Sequence, residues 1–234
     1  MKVLTIIPAR SGSKGVKKKN IKLLDGTPLL NWTIQSALEA SQKLDEIIVS
    51  TDSDEIAKIA KNSGVEVPFI RPENLATDTA KSIDVIQHAL EFMESKLNLE
   101  YDWVLTLQPT TPFRSHIDIE HALDLAKNSD CDSVISVVRV YSHHPILMKR
   151  IENGKLIPFT ADEKEGTRRQ DYTPPAFMRN GAIYLTKRDI VVNEKSLWGK
   201  DIRPLEMPDD RSINIDSQID YLIAESMLRE KSID

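Results

Sequence analysis

The sequence predicts an α/β protein, a doubly wound, mostly parallel sheet carrying a small extra lobe. Three observations carry this. Short apolar runs of strand length alternate with amphipathic stretches of helix length as far as about Val138. The runs end in polar or charged residues. The rhythm breaks between about Val140 and Pro175, then resumes. At 234 residues the chain can bury one sizeable core, and it has no repeat, low-complexity tract or interdomain linker. The expectation is one domain over residues 1–234, with a lobe inserted over 140–176.

Val3 to Ile7 reads as a buried first strand. Pro28 opens an amphipathic helix to Ala40, with Leu29, Leu30, Ile34, Ala37 and Leu38 available to one face. Glu46 to Asp52 is a second strand ending in polar residues, and the next helix turns Ile56, Ile59 and Ala60 inward. Val65 to Ile70 reads as a third strand, followed by a polar connection from Arg71 to Thr79 and a helix from about Ser82 to Leu97. Trp103 to Leu107 is apolar on both faces, as in the middle of a sheet. A helix from about Ile117 to Ala126 and a strand from Ser133 to Val138 complete the alternation. In the lobe, strands around Leu147–Ile151 and Lys155–Pro158 turn at Asn153-Gly154. That lobe suits packing against a second subunit, with a mobile lid as the alternative. Gly181 to Leu185 returns to the sheet, and a last helix runs from about Ser217 to Arg229.

Composition narrows the function. With 31 basic and 36 acidic residues the protein is mildly acidic, which argues against a general nucleic-acid or anionic-membrane surface. The single cysteine, Cys131, forms no internal disulfide and no cysteine metal cluster, so it is expected to be a small buried residue. No run approaches a membrane span and no leader precedes the first strand, which leads to the expectation of a cytoplasmic protein.

Ligands of doubly wound sheets sit beyond the carboxyl ends of the strands, so Arg10 to Asn20, Asp52, Arg71 and Gln108 should gather along one edge. The loop Arg10-Ser11-Gly12-Ser13-Lys14-Gly15, continued by Lys17, Lys18, Lys19 and Asn20, suits an anion. Its glycines free the backbone to turn N–H groups toward a ligand, Arg10 offers a planar fork, and Lys14 and Lys19 act as point charges. It matches neither the usual P-loop nor the dinucleotide fingerprint. Alternation in Ser212 to Asp216 puts Asn214 and Asp216 on one side of a short strand, where both can face a hard cation such as Mg²⁺. Asp216 is the stronger ligand, and capping of the last helix is its competing role. Helix capping is ranked first for Asp52. Arg168, Arg169 and Arg179 suit an acidic substrate, a solvated patch being the alternative for Arg168, and Gln108 suits hydroxyls. His143 and His144 lack metal-ligand neighbours and should pack or bond within the lobe. No nucleophile elbow is present.

An ordered set of pieces resembles the CMP-sialic acid synthetase family, the acylneuraminate cytidylyltransferases. These are Ile7-Pro8-Ala9-Arg10-x-Gly12-Ser13-Lys14-Gly15 with Lys19-Asn20, Val49-Ser50-Thr51-Asp52, Arg71-Pro72, Asp78-Thr79-Ala80, Leu107-Gln108-Pro109-Thr110, His143-His144-Pro145, Asn180-Gly181-Ala182-Ile183-Tyr184 and Ile215-Asp216. The resemblance, which includes CMP-legionaminic acid synthases, implies that CTP and a nine-carbon 2-keto sugar acid give a CMP-sugar and pyrophosphate with Mg²⁺. The anomeric hydroxyl would attack the α-phosphorus directly. It also implies that Arg10, Ser13, Lys14 and Lys19 hold phosphates, with Arg10, Lys14 and Asp216 as the catalytic set. Asn20, Arg71, Ala80 and Ser82 would contact cytidine; Gln108, Arg169, Arg179 and Tyr184 would face the sugar; Asp216 and Asn214 would hold metal; and a homodimer would share sites through the lobe. Three departures stand out: Asn214 where the family often has aspartate, Met178 where an arginine commonly stands, and Leu197-Trp198 where paired phenylalanines meet the N-acetyl group. The last favours legionaminic over N-acetylneuraminic acid. A CMP-Kdo or related sugar nucleotidyltransferase is the second reading, and an inactive nucleotide or sugar-acid binder the third.

Overall fold

The computed structural model describes residues 1–13, 15–160 and 163–231. In chain order the elements are β1 (Val3–Pro8), β2 (Leu23–Leu24), β3 (Thr27–Pro28), α1 (Leu29–Glu39), β4 (Glu46–Ser50), α2 (Asp54–Asn62), α3 (Ser82–Leu97) and β5 (Trp103–Thr106). They continue with α4 (His116–Lys127), β6 (Ser133–Val140), β7 (Lys149–Glu152), β8 (Lys155–Pro158), β9 (Ala176–Lys187), α5 (Arg188–Val192), β10 (Ile202–Glu206) and α6 (Gln218–Lys231).

A six-stranded sheet in the order β10-β6-β9-β5-β1-β4 forms the centre. β1 runs parallel to β4 and β5, and β6 parallel to β10, while β9 is antiparallel to both its neighbours. The period-two alternation of β1 divides its side chains between two cores. Val3 and Ile7 join Leu30, Ile34, Ile56, Ala60, Ile119 and Leu123 from α1, α2 and α4. Leu4 and Ile6 join Ile86, Leu90 and Met93 of α3 and Val191 of α5. Cys131 is buried.

The expected third strand from Val65 to Ile70 is reduced to isolated bridges, Ile48 to Glu66 and Thr51 to Ile70. Pro68 lies between them and has no N–H to give a ladder. β10 carries no apolar run because it is an edge strand, largely exposed and interrupted by Pro204, and sequence reasoning passed over it. The lobe hairpin forms as expected, Ile151 opposite Leu156, with Asn153 and Gly154 at φ 51° and 73° in its turn. His144 stacks beside Tyr172 and bonds the carbonyl of Pro174 at 2.9 Å, a packing role.

The step in β9 matters for the site. Ile135 pairs with Tyr184 and Val137 with Arg179, so β9 spends five residues where β6 spends two. Gly181, at φ +78°, takes the bend. Asn180 fills the bulge from inside. Its Oδ1 accepts from Ser136 Oγ at 2.6 Å and its Nδ2 donates to Ser212 Oγ at 2.9 Å.

Candidate active site

The loops after β1, β4 and β5 meet as the strand order predicts. A cavity of about 470 Å³ opens there, lined by Arg10, Ser13, Lys19, Asn20, Arg71, Ala80, Ser82, Gln108 and Asp216 among others. Lys14 lies outside the described residues.

The basic loop is held by contacts at both ends. Asn20 Nδ2 donates to the carbonyl of Arg10 at 2.8 Å. Ser11 donates its N–H and its hydroxyl to the two oxygens of Asp52 at 2.8 and 2.6 Å. Asp52 thus orders the loop, and Ser53 caps α2 in its place by accepting from the N–H of Ile56. The glycines act differently from the expected freedom of backbone angle: Gly12 does not have positive φ. Gly15 is required by closeness, since a Cβ there would lie 1.9 Å from the backbone oxygen of Asp216. The N-terminal loop and the segment before α6 are therefore packed backbone to backbone.

Asp216 is consequently beside the cations. Lys19 Nζ donates to its Oδ1 at 2.9 Å and to the carbonyl of Ile215 at 2.8 Å. Asn214 Nδ2 donates to its Oδ2 at 2.6 Å. The two residues meet as expected, but in extended chain and not in a strand. Capping of α6 falls to Ser217, whose hydroxyl accepts from the N–H of Asp220 at 3.3 Å. Ile215 N–H completes the attachment by donating to the carbonyl of Thr110 at 2.7 Å, joining this segment to the loop after β5.

On the opposite wall Arg71 is buried, 4% exposed. Its Nε donates to Ser50 Oγ at 3.1 Å and its guanidinium also bonds the carbonyl of Ser50. Burial pushes this guanidinium down to about 10; the Asp52 charge opposes that shift and the Arg10 charge adds to it. Arg10 forms an ion pair with Asp78 at 2.9 Å across the mouth, a partner that sequence reasoning did not assign.

The other predicted residues divide. Gln108 lines the cavity floor, its Oε1 only 3.2 Å from where a Cβ on Gly181 would stand. Arg169, Arg179 and Tyr184 do not line this cavity. Arg179 lies over the ring of Trp198, 4.2 Å from its centroid, in a separate depression with Ile135, Val137, Ile202 and Pro204. Tyr184 is half-buried nearby, and burial pushes its phenol up against the opposing charge of Arg179. Arg169 is in the lobe, 5.2 Å from the ring centroid of Tyr141.

Two charged residues escaped sequence reasoning. Arg114 is wholly internal, and Arg211 donates two hydrogen bonds to the carboxylate of Asp118, from Nη2 at 2.8 Å and from Nε at 3.0 Å. Burial would push the Asp118 carboxyl up, but the Arg211 and Ser115 donors outweigh it and hold it below the usual carboxylate range. Neither arginine belongs to an alternating or helical pattern, so only a polar residue flanked by turn signals marked their positions.

A basic loop, a buried guanidinium and a carboxylate gathered at the strand ends of a mostly parallel sheet suit a nucleotidyltransferase. The chain belongs to the cytidylyltransferase family, whose profile matches residues 4–190. It is 37% identical over 97% of its length to the CMP-N,N'-diacetyllegionaminic acid synthase of Legionella pneumophila, covering 97% of that protein. It is 34% identical to the post-translational flagellin modification protein B of Campylobacter coli, over 99% of this chain and 97% of that one. With the N-acylneuraminate cytidylyltransferase of Escherichia coli it shares 33% identity over 99% of its own length and 53% of the relative's. The fold also matches the structure of CMP:2-keto-3-deoxy-manno-octonic acid synthetase complexed with CTP, at a TM-score of 0.74 and 15% identity, over 99% of this chain and all of the other.

Proposed function

We propose that this enzyme transfers CMP from CTP to the anomeric hydroxyl of a nine-carbon 2-keto sugar acid, releasing pyrophosphate. Diacetyllegionaminic acid and N-acetylneuraminic acid are the leading acceptors, the former first. The observation that carries the reading is the convergence of the basic loop, the Arg71–Ser82 segment and Asp216 on one cavity. The end-to-end similarity to a CMP-diacetyllegionaminate synthase supports the acceptor class.

Arg10, Ser13, Lys14 and Lys19 hold the triphosphate, Lys14 resting on sequence alone, and Lys14 and Arg10 stabilise charge at the reacting and leaving oxygens. Asn20, Arg71, Ala80 and Ser82 receive the cytidine, and Gln108, Arg169, Arg179 and Tyr184 face the sugar acid. The chain's part in catalysis is alignment and fixed charge, with no covalent intermediate.

Mg²⁺ fits the donor set. Asp216 brings an exposed carboxylate to the cavity, and no group of three or more metal-ligating side chains exists among the described residues. A hard cation of this kind needs only one or two protein carboxylates beside substrate phosphates. When bound, it neutralises developing phosphate charge. Asn214, with its nitrogen turned to Asp216, orients that carboxylate. We infer in addition a homodimer formed through the lobe, whose Ile151 and Leu156 are 80% and 70% exposed side by side. No helix among the described residues is long and apolar enough to cross a membrane.

The test is pyrophosphate release from CTP with Mg²⁺ and, separately, N-acetylneuraminic, diacetyllegionaminic, pseudaminic and Kdo acids. Turnover with one of the first two is expected. Turnover with Kdo alone contradicts the assignment of Arg169 and Arg179, and CTP binding without any turnover favours an inactive binder.

A further inference from the structure

Arg114 is 3% exposed and has no carboxylate in ion-pair contact among the described residues. A buried cation is costly unless its donors are satisfied. Here they are satisfied by three different elements. Nε donates to the carbonyl of Ala182 in β9 at 2.9 Å, Nη1 to Thr33 Oγ1 in α1 at 2.9 Å, and Nη2 to the carbonyl of Gln108. Burial pushes the guanidinium down to about 9, against the pull of Asp118.

Two of these acceptors lie where the loop after β5 meets the bulge of β9, beside Gln108, which lines the cavity. Gln108 supplies the side chain, and Ala182 follows Gly181, the bulged residue whose missing Cβ leaves room for Gln108 Oε1 at 3.2 Å and Thr111 Oγ1 at 3.5 Å. Thr111 itself donates to the carbonyl of Asn180 at 2.9 Å. One planar guanidinium therefore sets the distance between the loop after β5 and the bulge of β9, and α1 anchors it from behind.

We propose that Arg114 is a positioning residue for the acceptor half of the reaction: it fixes the Gln108 loop against the Gly181 bulge without touching either substrate. This rests on the reading that Gln108 faces the sugar acid. An apolar residue of similar size would give a drier core at lower cost, so the retained charge is explained by the need to hold two carbonyls in one plane.

Arg114→Lys keeps the charge but loses the fork. For whichever sugar acid the wild type uses, its KM is expected to rise about tenfold in this variant, since small misplacements of aligned groups cost heavily. The Kd for CTP, read by calorimetry, should stay within about twofold, and faster hydrogen exchange should be confined to peptides covering residues 108–111 and 181–182. Thr33→Val removes only the rear anchor, so it should lower the melting temperature and leave the sugar KM unmoved. If Arg114→Lys does not fold, Arg114→Gln, an uncharged donor in the same place, carries the same test. Equal losses for CTP and sugar, or an unchanged sugar KM in a folded variant, would overturn the proposal. Absence of wild-type turnover with every sugar acid would instead overturn the reading of the site.

Discussion

The cavity beyond β1, β4 and β5 and the face around β9 and the lobe are built on different terms. In the first, every predicted nucleotide contact among the described residues stands on one wall or another of a single hollow, held by backbone-to-backbone packing at Gly15 and by bonds to Asp52, Ser50 and Thr110. In the second, Arg169 is in the lobe, Arg179 is in an open depression, and Tyr184 is half-buried in β9. Phe177 and Met178 of β9 are exposed, as are Ile151 and Leu156 of the lobe hairpin. The difference teaches that the residues proposed for the nucleotide share one hollow, while those proposed for the acceptor lie on an open face where the proposed second copy would pack.

The largest expected effect lies in the closed half. Asp216→Ala should cut turnover about a thousandfold and raise the Mg²⁺ requirement, because charge fixed at the leaving oxygens contributes several kcal/mol to such transfers. A rate titration over Mg²⁺ reads both, and an unaltered metal profile would remove Asp216 from the metal site. Arg71→Lys keeps charge but loses the Ser50 bonds; CTP should bind about thirtyfold more weakly, with the sugar KM unmoved, by calorimetry and steady-state kinetics. A shift in both constants would erase the division between the halves.

A smaller effect is expected on stability alone. Arg211→Met breaks the pair with Asp118 that ties the Asp216 segment to α4, at a cost of about 2 kcal/mol near neutral pH. Since the Asp118 carboxyl is held low in the fold, the stabilisation is present above the unfolded carboxylate pKa of about 4 and is lost as pH falls through the folded value. The gap in melting temperature between variant and wild type should therefore close in acid. Smallest of all, Asp78→Asn frees Arg10 from an exposed ion pair at the mouth and should tighten CTP about twofold to threefold.

How much of this was legible in the sequence follows the same divide. Continuous apolar runs marked β1, β4, β5 and β6 because both their faces are buried, and helical periodicity marked α1, α2, α3, α4 and α6 but not the short α5; α3 is bounded at Ser82 and Leu97 as expected. The sequence did not reveal that Gly15 serves contact with Asp216, that Asp52 holds Ser11, or that Arg114 is internal, because each depends on segments that meet only after folding. The short strand expected at Asn214 is extended chain, since its hydrogen bonds go to Thr110 and Lys19 and not to a ladder. The bulge of β9 was equally hidden; Gly181 was the one local sign of it.

The most direct measurement uses the double variant Ile151→Asp/Leu156→Asp, with its mass followed by analytical ultracentrifugation. Its Kd for CTP and its turnover of the sugar acid would be determined on the same sample. The expected result is a monomer that binds CTP within about twofold of wild type and has lost about a hundredfold in turnover, since in the proposed dimer the second copy orients the acceptor. A monomer with full turnover would contradict it.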